Sequence, residues 1–214
     1  MNRFIVQPES EGATVDEGFV VGGPVGDFEL LLCHGTVCVV GRMRDLILQL
    51  SKSSIYSTKP LETIDAVAAT IGSKKTAIRL APFGRLQGMQ GFPDEEDTWL
   101  TLAAELNSRE IAYVHLSDQA SLGAQAIPEG FLRKFRQIYK GTLIMAGGFS
   151  KEKAEQYLHE GFADLIAFGQ PFIANPDLVD RLKNDWPLAI ADRNTYYSGG
   201  DEGYIDYLPH RIES

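Results

Sequence analysis

Arg79 stands inside an apolar run, "AIRLAP", where a guanidinium needs an acceptor because burying it unpaired costs too much. An internal ion pair, with Asp118 as the candidate, or a bound ligand would each supply one. A second chemistry lies in two glycine-bearing segments. "TLIMAGG" closes on Ala146, Gly147 and Gly148, and "ADLIAFGQ" closes on Phe168, Gly169 and Gln170. Without a Cβ, a backbone lets an anion come close to its N–H groups. One such glycine alone reads as a tight turn; two sets on neighbouring strands read as a phosphate cradle. The tail "DRNTYYSGGDEGYIDYLPH" carries Tyr196 and Tyr197, either in a strap across the fold or at the rim of a flat aromatic ligand. His115, alternating with apolar residues in "IAYVHLS", reads as a hydrogen-bonded interior residue rather than a catalyst. His159 reads as a solvated cation at a helix end, and His210 carries no chemical signal. Cys33, His34 and Cys38 give three possible metal ligands without a fourth, so they read as buried thiols and no metal site is expected.

The elements that hold these residues are legible from about Pro60 onward. "PLETIDAVAATIG" spaces Leu61, Ile64, Ala68 and Ile71 as a helix, stopped by Gly72. "TAIRLAP", "IAYVHLS", "TLIMAGG" and "ADLIAFG" are strands. Between them lie the helical segments "DEEDTWLTLAAELNSRE", "EGFLRKFRQIYKG" and "KEKAEQYLHE", the last capped by Ser150 and ended by Gly161. Asn175 as N-cap with Pro176 behind it is expected to open a final helix, "DLVDRLK". Strands alternating with amphipathic helices predict βαβ units and a parallel sheet, and four such units are half of a (β/α)8 barrel. In that architecture chemistry sits at the C-terminal strand ends, where Arg79 and both glycine segments fall. Residues 1–58 show no such alternation and read as an irregular segment, so the domain division is 1–58 and 59–214.

Composition narrows the partners. With 214 residues, 44% apolar and 23% charged, the chain is expected to fold around a hydrophobic core. Its net charge of −9 argues against nucleic acid and anionic membrane, because no broad basic face is available to neutralise phosphates. No apolar stretch is long enough to span a bilayer and the N-terminus turns acidic early, so a cytoplasmic protein is expected.

"GTLIMAGGFSKEKAEQYLHEGFADLIAFGQPFIANPDLVDRL", followed by "TYYSGGDEGYIDY" and preceded in order by "AIRLAPFG" and "IAYVHLSD", resembles the old yellow enzyme family. These are FMN-dependent NAD(P)H oxidoreductases and include the 12-oxophytodienoate and N-ethylmaleimide reductases. The resemblance covers about residues 59–209 and implies strands five to eight of a TIM barrel. It further implies an ene-reductase that passes hydride from NAD(P)H through FMN to a small activated alkene. Arg79 would contact the pyrimidine edge of the flavin. The backbone at Ala146, Gly147, Gly148, Phe168 and Gly169 would hold its phosphate, with Tyr196 and Tyr197 near the ring and the substrate mouth.

Two departures from the family pattern follow. Where the family has an arginine on the phosphate, this chain has Gln170, an amide without charge, so a weakened FMN site is expected. The family's fourth strand carries a His-x-x-His or His-x-x-Asn pair and a following tyrosine. His34 has Val37 at the matching spacing and no tyrosine close behind. No catalytic residue is therefore assigned, and the expectation is a truncated, impaired reductase. The alternative is a non-catalytic fragment or interaction module with a partial flavin-phosphate site. Four barrel strands with an apolar inner face and two unpaired edges are expected to self-associate.

Overall fold

Short apolar runs bounded by glycine and proline become the parallel strands, and the amphipathic segments between them become helices. The computed structural model describes residues 58–85, 90–123, 125–196, 200–203 and 205–210, together with the backbone of four N-terminal strands. Those strands are β1 (Phe4–Val6), β2 (Phe19–Val25), β3 (Phe28–Cys33) and β4 (Thr36–Gly41). After α1 (Thr58–Ile71) the chain alternates as β5 (Thr76–Leu80), α2 (Glu95–Ser108), β6 (Tyr113–Ser117), α3 (Glu129–Ile138), β7 (Leu143–Ala146), α4 (Lys151–His159) and β8 (Leu165–Phe168). Two short helices follow, α5 (Gln170–Ala174) and α6 (Leu178–Asn184).

All eight strands form one sheet in the order β1-β8-β7-β6-β5-β4-β3-β2. β5 to β8 run parallel, as expected of βαβ units. Residues 1–58 lack the βα alternation but are richer in structure than an irregular segment. β1 joins β8 in parallel, β4 joins β5 in parallel, and β3 runs antiparallel to both β2 and β4. The order is that of a ring of consecutive strands cut between β1 and β2, with one strand reversed. β2 bears the marks of an edge: its pairing is irregular between Gly22 and Val25, and Pro24 there has no N–H to offer.

This arrangement corrects the expected pair of open edges, since β1 and β4 occupy both sides of the four-stranded core. The two faces of this core differ. On the face packed against the helices, Ile78, Leu80, Val114, Leu116, Met145 and Ile166 join Trp99, Leu106, Phe131 and Phe135 in one core. Burying each such side chain contributes about 1.5–3 kcal/mol. The opposite face is built from the alternate residues and is small and polar as well as apolar: Arg79, His115 and Ser117 share it with Ala77, Ala146, Ala167, Ile144 and Leu165. Of these Ala77, His115, Ile144, Ala146 and Ala167 are buried, so the face is not an open apolar surface.

Ser150 caps α4 as expected, its hydroxyl accepting from Lys153 N–H at 3.2 Å. Asn175 does something else. The chain first makes α5, and α6 begins only at Leu178, so Asn175 closes one helix rather than opening the next. Its buried amide donates to Pro171 O at 2.7 Å and Ala189 O at 2.9 Å, and accepts from Ala189 N–H at 2.8 Å. A fully buried amide needs all those partners, and a solvent-facing cap would have left it there without them.

Beyond α6 the tail is fastened by Arg181. Its guanidinium meets Asp177 at 2.7 Å, Pro187 O at 2.8 Å and Leu208 O at 3.2 Å. Asp177 also accepts from His210 N–H at 2.7 Å, and the His210 ring lies 4.7 Å from Trp186. Burial alone would raise the Asp177 carboxyl, but the His210 N–H and the Arg181 guanidinium outweigh it and hold the group below its usual range. His210, silent in the sequence, is thus part of the anchor. No described helix is long and apolar enough to cross a membrane.

Candidate active site

The parallel direction of β5 to β8 brings Arg79, Gly147, Gly148, Gly169 and Gln170 to the same end of the sheet. Side chains on the face away from the helices fall into two rows. Arg79, His115, Ile144 and Leu165 are register partners across β5 to β8, and Ser117, Ala146 and Ala167 form the row above them. The upper row is made of the smallest side chains, so the sheet is thinned at the strand ends directly above Arg79 and His115.

Arg79 Nη2 donates to Ser117 Oγ at 3.2 Å. The internal ion pair with Asp118 is not formed. Asp118 Oδ1 instead accepts from Ala120 N–H at 2.9 Å, and Asp118 N–H donates to Ala146 O at 2.7 Å. That geometry turns the carboxylate into the loop after β6 and leaves the guanidinium on the sheet face. Ser117 went unremarked in the sequence, although its period-2 spacing from His115 places it on the face of Arg79.

His115 is 4% exposed, yet its Nε2 has no hydrogen-bond partner, contrary to the expected hydrogen-bonded interior residue. Burial first, and the neighbouring Arg79 charge second, push its pKa down from 6.5 to about 3. The imidazole is therefore neutral at physiological pH. The unfolded chain takes up this proton as pH falls through 6.5 and the folded chain does not. The stability this group contributes is complete above the unfolded value and erodes as pH falls toward the folded one. Between about pH 7 and about pH 5 the loss from this group is about 2 kcal/mol. Urea midpoints at the two pH values should show it, and His115→Leu should remove that part of the acid sensitivity.

Gly147 and Gly148 carry φ of +140° and +65°. A Cβ on Gly147 would strike the Asp118 carbonyl oxygen and Cβ, and one on Gly148 would sit 2.7 Å from Ser121 Cβ. Both glycines are thus demanded by the packing of the β7 turn on the β6 loop. The same turn leaves their N–H groups without an acceptor among the described residues. The two readings of the glycine pair coexist: a tight turn that also presents amides. Gly169, at φ −101°, lies outside the left-handed region, and Gln170 is the half-buried first residue of α5. Phe168 turns its side chain into the core on the helix side, so only its backbone faces the strand end.

The basic residues after the β7 turn are engaged elsewhere: Lys151 pairs with Asp185 at 2.5 Å, and Lys153 lies over Phe149 and Tyr157. Gln119, whose Oε1 is buried without a partner, lies against Gly84 in the adjoining loops. Tyr196 is half-buried just past the turn Arg193–Thr195, and Tyr197 lies outside the described residues. Cys33 and Cys38 fall in β3 and β4, His34 lies outside the described residues, and no cluster of metal-ligating side chains occurs among the described ones.

Known proteins resemble this chain in sequence and fold. The chain is 39% identical over 153 residues to "Putative 12-oxophytodienoate reductase 5" of Oryza sativa subsp. japonica, covering 69% of this chain and 40% of the relative. It is 37% identical over 150 residues to "12-oxophytodienoate reductase 2" of Arabidopsis thaliana, with the same coverage. Among solved structures, morphinone reductase superposes with a TM-score of 0.69 at 36% identity, covering 74% of this chain and 45% of that one. The old yellow enzyme from Trypanosoma cruzi gives 0.66 at 29% identity, covering 74% and 42%. The chain spans about two fifths of the length of the relatives it matches. Residues 59–189 match the model of the NADH:flavin oxidoreductase / NADH oxidase family, and the chain belongs to that family, the family of the old yellow enzymes.

Proposed function

We propose that the chain binds FMN at the C-terminal ends of β5 to β8, as the cofactor half of an NAD(P)H-dependent reductase of small activated alkenes. The observation that carries this is the strand-end site itself. A guanidinium held by Ser117, a row of alanines beside it and a glycine turn with unclaimed N–H groups lie at one end of one sheet. These residues fit the cofactor. The row of Ser117, Ala146 and Ala167 puts only small side chains at the strand ends, Arg79 answers an electron-rich ring edge, and the turn offers amides to a phosphate.

In this reading Arg79 orients the ring and stabilises negative charge on its pyrimidine edge. The backbone of Ala146, Gly147, Gly148, Phe168 and Gly169 binds the phosphate, and Gln170 adds a neutral hydrogen bond. Tyr196 and Tyr197 border the substrate mouth. The bound flavin supplies the hydride-transfer chemistry. A nicotinamide reductant is supported by the morphinone reductase relative, which is solved in complex with tetrahydroNAD.

The division at residues 58 and 59 belongs to the same reading and is supported by the start of the family match at residue 59. So does a cytoplasmic setting. The chain carries no residue assigned to carbonyl binding or proton donation, so it is impaired as a reductase by itself. Any self-association now has the outer edges β1 and β2 to work with.

The test is a titration of purified chain with FMN, read by flavin fluorescence quenching, with NADPH-dependent reduction of an unsaturated cyclic ketone and light scattering on the same sample. Saturable quenching, negligible turnover and a mass above the monomer are expected. Absence of quenching would sink the cofactor reading. Turnover comparable to a full-length relative would sink the impairment, and a concentration-independent monomer the self-association. A second reading, a non-catalytic module that keeps part of the flavin-phosphate site, is favoured by Gln170, and differs by binding flavin with no turnover alongside any partner chain.

A further inference from the structure

Buried polar atoms are almost always paired, so each exception asks what satisfies it in the working protein. Among the described residues four side chains keep such an atom: Trp99 Nε1, His115 Nε2, Gln119 Oε1 and Tyr139 Oη. Trp99 and Tyr139 belong to the core between sheet and helices, closed to any ligand. Gln119 is packed on Gly84 in the loops. His115 alone lies on the other face of the sheet, as the register partner of Arg79 and two residues before Ser117.

We propose that His115 is a direct hydrogen-bonding contact for the ring of the bound flavin, beside Arg79. This deepens the cofactor reading above and rests on it. The two residues differ in what they can offer. Arg79 has only donors, whereas a flavin's polar edge presents both carbonyl acceptors and an N–H donor. A neutral imidazole has one N–H and one lone pair, and its tautomer can adapt to either need. Burial and the Arg79 charge keep His115 neutral, so it can complement the guanidinium without adding a second positive charge. The row above, Ser117, Ala146 and Ala167, consists of small side chains, and none of them bonds the buried Nε2. Leaving Nε2 unsatisfied there costs stability, as expected of a group kept for a ligand.

Riboflavin isolates the ring from the phosphate, so it and FMN together form the test. Both are titrated against wild type, His115→Leu and His115→Gln by fluorescence quenching. His115→Leu is expected to weaken both flavins by the same factor, roughly three- to ten-fold for one neutral hydrogen bond. His115→Gln, which keeps an amide at similar reach, should recover most of that loss. In wild type, the His115 Nε2 resonance in imidazole 15N NMR, identified by its absence in His115→Gln, should move on adding riboflavin while the His159 and His210 signals stay. Equal affinities in all three proteins with an unmoved Nε2 signal would overturn the proposal and leave the cofactor reading standing. Failure of wild type to bind either flavin would overturn both. Should His115→Leu not fold, the glutamine variant and the wild-type NMR titration decide between these outcomes.

Discussion

Replacing Gln170 by arginine tightens FMN roughly ten- to a hundred-fold and leaves riboflavin unchanged. Gln170 follows Gly169 at the end of β8 and opens α5, half-buried at the strand end where the Gly147–Gly148 amides lie. An amide there makes one neutral hydrogen bond. A guanidinium makes two charge-assisted ones in the fork geometry that phosphate accepts, and the difference is about 1.5–3 kcal/mol, which is that range of affinity. The nearby lysines do not supply the missing charge, because Lys151 is held by Asp185 and Lys153 lies over Phe149 and Tyr157. The net charge of −9 makes one local cation count for more. Because riboflavin has no phosphate, the ratio of the two affinities separates a new phosphate contact from a general change in the site. An arginine variant that gains nothing for FMN would place the phosphate elsewhere.

Replacing Gly147 by alanine costs about 2–5 kcal/mol of stability, from backbone strain and overpacking together. Its φ of +140° is one that residues with a Cβ avoid, and the added methyl runs into the backbone carbonyl of Asp118. That carbonyl cannot step aside. Asp118 is fixed on one side by its N–H to Ala146 O at 2.7 Å and on the other by its carboxylate to Ala120 N–H at 2.9 Å. Gly161 is the control: its φ is +72°, but nothing lies within 4 Å of an added Cβ. Gly161→Ala should cost only about 1 kcal/mol, the conformational part. Urea denaturation of the two variants measures the difference, and equal midpoints would show that the β6 loop yields.

The elements past Pro60 were legible because local signals agree with the fold. Glu95, Glu96 and Asp97 mark a helix start, Ser150 caps another, and "TLIMA" and "LIAF" can only be buried strands. Asn175 misled because its short polar side chain suits an N-cap, while its real partners, Pro171 and Ala189, lie on either side of it in a bend that periodicity does not reveal. Of the site, the glycine pair and Arg79 stood out by type. Ser117 and the unpartnered nitrogen of His115 did not, because a serine or histidine in a strand looks the same in sequence whether or not anything bonds to it. The Asp118 pairing failed for a related reason: a carboxylate near a strand end chooses between a guanidinium and a loop N–H by geometry alone. β1 stayed hidden because its partner β8 is remote in sequence, and β2 to β4, though they pair with one another, consist of continuous apolar or glycine-bearing runs such as "FVVGGPV" and "VCVV" that show no strand–helix alternation.

The pairing of β1 with β8 has a consequence for how the chain is made. Of the strands of this sheet β1 is made before the others, and it cannot find its neighbour until β8, the last of them, has been synthesised. β2, β3 and β4, by contrast, are neighbours both in sequence and in the sheet and can zip together early. Contacts between remote segments slow folding, because the loop between them must be closed before any contact rewards it. Assembly therefore ends at β1, and during synthesis the free edge of β8 and the strand meant for it wait apart, each able to pair with the same segment of another nascent chain.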